Sequence, residues 1–321
     1  MKITPEIIFD GASERLAIAD GEAGLRAALK LQEKVSSQTM ADIGALAPGW
    51  TRADLLFGDD AALEDMLDYQ AGFADEMDLK TRAAYHITEY SNRFALVAVA
   101  PFVGFGLVPD FRPASVALSH DTRPLQLKTR LVDERLTRLR FLSERAATSD
   151  ALVAQGAAAA EARALLRDLL RQGVEAHFEP LISGLHRKTS LSESAMWRLV
   201  GDSLGARFLD AGQYFDRLEE AKSDALAILK HRGSPLNNRQ LHYFEVTVRD
   251  DADPDRVLAR RTFRARGGCC RFYTVEGGHL CSTCVLQKPA DRDRIVEAGM
   301  RRHLGLAPRP EDAVVNGDAP G

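Results

Sequence analysis

Apolar positions recur at helical spacing through most of the first 230 residues. Asp20 can cap a helix running to about Met40, with Leu25, Ala28, Leu29 and Val35 on one side. Behind Asp59 and Asp60, the spacing of Leu63, Met66, Leu67, Gln70, Phe73, Ala74 and Met77 predicts a second helix. Ala84, Ile87, Phe94, Val97 and Ala98 predict a third from Thr81 to about Ala100. The stretch Phe94–Pro109 carries no charge, but a bilayer span takes about 20 apolar residues, and this one holds two prolines between Arg93 and Asp110. It reads as buried core, so no transmembrane span is expected.

The pattern changes after Pro113. Ser115–Leu118 and Leu125–Lys128 read as the strands of a short hairpin, joined by the polar connector His120–Pro124. Helical spacing returns over residues 151–171. Gly173 is placed to end that helix as a C-cap, with another helix over 174–185. Ser190 and Glu193 have the spacing of a capping box for a helix through Phe208, and a further helix is expected from Tyr214 to Leu229. His231-Arg232-Gly233-Ser234-Pro235 is a turn-rich break. Beyond it, Leu241–Val248 alternates like a strand and Asp291–His303 has helical spacing. The fold class is therefore α+β: a mainly helical N-terminal domain with a short β-hairpin over 1–232, then a small C-terminal domain over 233–304. The tail 305–321 has few large apolar residues and is expected to be mobile.

Charge narrows the partners. With 42 Lys and Arg against 46 Asp and Glu, the net charge is -4, so no general cationic surface exists to hold phosphate backbones, and nucleic acid is not an expected partner. The first apolar stretch, Ile7-Ile8-Phe9, stops at Asp10 and is too short for a secretory segment. A cytoplasmic location is expected, with room for peripheral association with the inner membrane.

The four cysteines carry the chemistry. All fall at 269, 270, 281 and 284, in the pattern Cys-Cys-x10-Cys-x2-Cys. Four thiolates are what a [2Fe-2S] cluster needs, two on each iron. Gly277-Gly278 would let the chain reverse and bring the pairs together, and Gly267-Gly268 would let backbone pass close to inorganic sulfide. Four thiolates also close a tetrahedral zinc site, although two Cys-x2-Cys pairs are usual there and adjacent cysteines are not. Both metals stay open on spacing alone.

With Arg266 ahead of it and Phe272-Tyr273 after the first pair, this segment resembles the C-terminal iron-sulfur signature of FhuF-like ferric-siderophore reductases. The helical domain before it, Trp197 in a helix after a Ser-rich start, and the Ser234-Pro235-Leu236 turn agree more loosely. The resemblance implies a [2Fe-2S] cluster on Cys269, Cys270, Cys281 and Cys284. It also implies one-electron reduction of an iron(III)-siderophore with release of iron(II) in the cytoplasm, and a helix-rich siderophore-binding domain over 1–232 related to the siderophore-synthetase C-terminal region. No dinucleotide or phosphate loop occurs, since Gly104-Phe-Gly106 lacks a third glycine, so electrons have to come from an external electron donor protein or reductant. Arg256–Arg271 holds six arginines and no acid, which can offset an anionic cluster, dock an acidic donor or simply form a solvated face. Arg264, Arg266 and Arg271, nearest the cysteines, are the candidate substrate residues. The readings from other classes are a zinc-stabilised binding module without redox activity and an electron carrier to another enzyme. The long domain before the motif argues against a simple carrier.

Overall fold

The computed structural model describes residues 24–35, 41–126, 131–307 and 309. Helix α1 (Leu25–Val35) lies within the first expected helix, whose two ends are outside the described residues. The short strands β1 (Ala41–Ile43) and β2 (Thr51–Arg52) and the helices α2 (Ala53–Gly58) and α3 (Asp60–Ala71) lead into the long helix α4 (Leu79–Phe105). Asp59 and Asp78 start α3 and α4 by accepting from the N–H groups of Ala61 and Thr81, at 2.9 and 2.6 Å. α3 stops at Ala71, short of Phe73, Ala74 and Met77. The uncharged run from Phe94 becomes the buried second half of α4. That helix continues through Pro101 to a left-handed C-cap at Gly106 (φ 59°), followed by β3 (Leu107–Pro109). No helix among the described residues is long and apolar enough to cross a membrane.

The hairpin is longer than expected. β4 (Val116–Gln126) runs without a break through His120–Pro124, which is therefore strand and not connector. It pairs in antiparallel register with the whole of β5 (Leu131–Phe141), Pro124 lying opposite Asp133. His120–Arg123 is polar because this end of the ribbon is exposed, and cross-strand ion pairs Arg123–Glu134 (2.6 Å) and Arg138–Asp121 (3.2 Å) tie the two charged strands together. Pro124 is tolerated because β2 flanks β4 only at Ala117 and Leu118, leaving its far side without a ladder. The last two residues of the second expected strand, 127 and 128, lie outside the described residues. The sheet order is β1-β5-β4-β2, and β6 (Ala146–Thr148) pairs with β3.

Two helix ends also move. After α5 (Ser149–Ala154), a single helix α6 (Ala159–Thr189) replaces the two expected around Gly173. Gly173 is interior, not a C-cap: a Cβ there would sit 3.2 Å from the Phe111 ring, so its absence admits a core aromatic. α7 (Glu193–Tyr214) is capped by Ser192, whose hydroxyl accepts from the Ala195 N–H at 3.3 Å. Ser190 instead ends α6 in the left-handed region (φ 56°), so the expected capping box is not formed. α8 (Leu218–Leu229) begins after Tyr214 has closed α7. Past the turn at 231–235 come the hairpin β7 (His242–Arg249) and β8 (Val257–Ala265), a single 3-10 turn at Phe272–Thr274, and α9 (Pro289–His303). The tail expected to be mobile lies almost wholly outside the described residues.

One apolar core runs from Leu25 to Leu241, and α4 and α7 pack along each other through it. β8 crosses α7 near its middle. The end of β8 therefore delivers the cysteine segment to the helical face that carries Asp202.

Candidate metal centre

Beyond β8 the chain turns at Gly267-Gly268, presents Cys269 and Cys270, reverses at Gly277 (φ 69°) and returns with Cys281 and Cys284. The reversal depends on Gly278, where a Cβ would lie 1.8 Å from the Phe272 carbonyl oxygen. Gly267 and Gly268 serve close packing against protein: a Cβ on the first would meet the Asn238 side chain at 1.8 Å, and one on the second the α7 backbone at Arg198–Leu199 at 3.0 Å. Room for sulfide is not what these two glycines provide on that side.

All four cysteines line one small cavity, together with Arg266, Phe272 and His279. The Sγ atoms of Cys270 and Cys281 are 3.8 Å apart. Two thiolates bound to one tetrahedral metal at about 2.3 Å are separated by about 3.8 Å, so this pair is already spaced for a shared metal. Among the described residues no three Cys, His, Asp or Glu side chains converge on one point as ligands of a single ion. One pair of sulfurs is thus placed to share a metal, and Cys269 and Cys284 line the same cavity, which brings four thiolates to one site as two irons require. The donor set fits a [2Fe-2S] cluster.

Charge around the cysteines is set by one buried acid. Asp202, on α7 and 1% exposed, accepts from the backbone N–H groups of Gly267 (2.8 Å) and Gly268 (3.0 Å) and from Arg266 Nε (3.2 Å). Its backbone carbonyl accepts from Arg264 at 2.5 Å. Arg266 in turn reaches the Sγ atoms of Cys281 and Cys270, at 3.5 and 3.7 Å. Burial opposes charge on Arg266, but Asp202 and the two sulfurs outweigh it and hold the guanidinium protonated well above its usual range. Arg264 is pulled the other way, because burial outweighs its attraction to Asp202. Hydrogen bonding from Cys281 pushes Cys270 down to about 5, against burial and helped by Arg266, while Cys281 is pushed up by that same bond. Burial raises Cys269, although its sulfur accepts from the Arg271 N–H at 3.4 Å.

Arg271 points elsewhere. Its Nε donates to Thr81 Oγ1 at 2.9 Å and its terminal nitrogen to Asp78 at 2.8 Å, which fastens the cysteine loop to the first turn of α4. The three candidate arginines are thus all close to the loop, but only Arg266 is aimed at sulfur. Asp202 escaped the sequence reading, although an acid among Leu199, Val200, Leu204 and Phe208 on an apolar helix face is an available signal.

A second cavity, of ≈ 350 Å³, lies between α3, α4, β5 and the cysteine loop. Tyr69, Phe73, Tyr85 and Phe272 supply its aromatic walls, Glu89, Arg93 and Glu134 its charged groups, and Cys270 and Cys281 line it too. Glu89 and Glu134 lie 3.5 and 3.8 Å from Arg93, and Arg123 also neutralises Glu134, at 2.6 Å. Burial raises the Tyr85 hydroxyl, and the charges of Cys270 and Cys281 add to the effect. Of these pocket residues only the cysteines and Phe272 belonged to the motif read from the sequence; Phe73 entered only as a position in a helical pattern and Arg93 only as the charge bordering an apolar run.

The model of the FhuF 2Fe-2S C-terminal domain family matches residues 266–286, the span that holds all four cysteines. Neither curated proteins nor solved structures give a match. At residues 266–286 the chain therefore carries a segment of the FhuF 2Fe-2S C-terminal domain type, which points to a [2Fe-2S] cluster as its cofactor.

Proposed function

We propose that this protein is a ferric-siderophore reductase that converts chelated iron(III) to iron(II), one electron at a time, in the cytoplasm. The observation that carries the reading is the aromatic cavity whose wall includes Cys270 and Cys281: a chelate held there touches the redox ligands with no chain between. A carrier or a zinc-stabilised module has no need of such a cavity. In this reading Cys269, Cys270, Cys281 and Cys284 are the four ligands, and residues 1–232 supply most of the chelate site. A [2Fe-2S] cluster supplies single electrons, the unit that separates iron(III) from iron(II). Siderophores bind iron(III) through hard anionic oxygens, and iron(II) holds such ligands less tightly.

The chain's own residues have separable tasks. Tyr69, Phe73, Tyr85 and Phe272 bury one face of the chelate and exclude water. Arg266 sets a fixed positive charge beside two thiolates, which favours the more reduced, more negative state and raises the potential. Arg264 and Arg271 act on the substrate only through the loop they hold in place. Electrons enter from an external donor.

The test is anaerobic. Purified protein should contain iron and sulfide, each approaching two per chain. Mixing the dithionite-reduced protein with ferric hydroxamate and catecholate complexes should reoxidise it while an iron(II) chelator traps one iron per electron. Stoichiometric zinc without sulfide, or reoxidation without iron(II), would sink the reading.

A further inference from the structure

A groove of ≈ 590 Å³ lies between β8, α9 and Ser282-Thr283, and it shares no residue with the aromatic cavity. Its position is informative. Ser282 and Thr283 are the two residues between Cys281 and Cys284, so one wall of the groove is the cysteine turn itself. The Thr283 carbonyl accepts from the backbone N–H of Arg266 at 3.1 Å, tying that wall to the backbone of the residue whose guanidinium lies beside the sulfurs.

Its charge is one-sided. Arg260, Arg261 and Arg302 line it and no Asp or Glu does. Arg260 has Glu245 at 3.4 Å, but both side chains are more than half exposed, so water screens the pair. Arg261 lies over the Phe263 ring at 5.4 Å, and neither it nor Arg302 makes an ion pair among the described residues. The floor is apolar, from Phe263, Val296 and Met300. An apolar centre under a cationic rim is the anatomy of a protein-docking surface and complements an acidic patch.

We infer that this groove docks an acidic one-electron carrier protein, the external donor that the reductase reading requires. The inference rests on that reading. Each encounter transfers one electron: the carrier's own centre is oxidised by one and this chain reduced by one, with no bond made or broken. Because the groove and the aromatic cavity have no residue in common, donor and chelate do not compete for the same side chains.

The test reads binding, not turnover. An oxidised, acidic plant-type [2Fe-2S] ferredoxin serves as probe, titrated calorimetrically into the cluster-loaded chain at low and at physiological salt. Wild-type binding should weaken at least tenfold between about 0.01 and 0.15 M salt, over which the Debye length shrinks from about 30 to about 8 Å. The triple variant Arg260→Gln, Arg261→Gln, Arg302→Gln should bind at least tenfold more weakly at low salt and lose most of the salt dependence. The triple Lys variant should restore both, which separates charge from folding. Wild-type binding indifferent to salt, or triple Gln binding like wild type, overturns the inference. So does flavin mononucleotide displacing the probe stoichiometrically, or a gain in binding confined to chains lacking 311–321. No chelate is present in the titration, so failure of the reductase reading appears separately, in the dithionite-driven assay.

Discussion

Replacing Asp202 by Ala should unfasten the cysteine loop from the helical core. The side chain is 2% exposed and accepts three hydrogen bonds, from Gly267, Gly268 and Arg266. Removing it leaves two buried N–H groups without an acceptor, at about 1–3 kcal/mol each when no water can reach them. It also leaves Arg266, with its side chain 12% exposed, without its carboxylate. Loss of one partner of a buried ion pair costs about 3–5 kcal/mol, and these contributions overlap because they share one carboxylate. The expected total is therefore about 3–5 kcal/mol, set against a whole-protein stability of about 5–15 kcal/mol. Asp202→Asn keeps the shape and one acceptor oxygen, and should lose about half as much. Urea unfolding followed by helical circular dichroism under argon reads the change, and iron and sulfide analysis reads the loop. A loss below about 1 kcal/mol for Asp202→Ala, with cluster content intact, would refute the view that this acid anchors the cysteines.

Four further outcomes follow from the geometry. Arg266→Gln should lower the midpoint potential, because a positive charge leaves the two sulfurs; an unchanged potential in protein film voltammetry would count against its role. Phe73→Ala should raise the chelate KM about fivefold, roughly 1 kcal/mol of lost aromatic contact, with the potential unmoved; steady-state kinetics and voltammetry check the two halves. Gly278→Ala should cut bound iron and sulfide by more than half, since its Cβ would collide with backbone, whereas Gly277→Asn, with open space around it and a left-handed φ, should retain them; equal cluster content in both would be the wrong result. His177, fully buried between Tyr90 and the Phe111 carbonyl, is held down to about 4 first by burial, against an unfolded value of about 6.5. Between those values the unfolded chain takes a proton that the folded one refuses, so stability present above about pH 6.5 is lost as pH falls towards 4, by up to about 1.4 kcal/mol per pH unit. His177→Gln should flatten that loss between pH 7 and 5; the same slope in both proteins would remove His177 as its source.

The sequence pattern located most helices because their buried faces are long. Where it misplaced an end, local signals competed with tertiary packing. Gly173 looks like a terminator when the chain is read alone, yet the ring of Phe111, 62 residues earlier, fills the space its missing Cβ leaves. Ser190 and Ser192 are both capable caps, and only the left-handed backbone at 190 decides between them. β5 was unreadable for a different reason. Its Asp133, Glu134, Arg135, Arg138 and Arg140 mask alternation, and the partners of the last four, Arg123, Asp65, Asp121 and Asp42, come from elements that one-dimensional patterning does not bring together.

The same blindness affects the arginine run before the cysteines. Six arginines without an acid read as one cationic stripe, but the chain has distributed them. Arg256 faces Asp250, Arg260 faces Glu245, Arg271 faces Asp78, and Arg264 and Arg266 converge on Asp202 of α7. Packing on α7 makes the division: Arg264 and Arg266, at the end of β8 that lies on this helix, are turned in against Asp202, where a buried cation is tolerated only beside a carboxylate, while Arg260 and Arg261, farther back along the strand, stay in solvent. A charge count along the sequence cannot see that carboxylate, because it lies 62 and 64 residues away. The cysteine spacing was legible for the opposite reason, since thiols gathered by one reversing loop are near one another in sequence. What the structure adds is the coupling between the two: Asp202 holds Arg266, Arg266 faces Cys270 and Cys281, and those two sulfurs wall the aromatic cavity. A shift of α7 against β8 would therefore move a charge at the sulfurs and a wall of the cavity together, which links substrate fit to redox potential through packed side chains and not through the ligands alone.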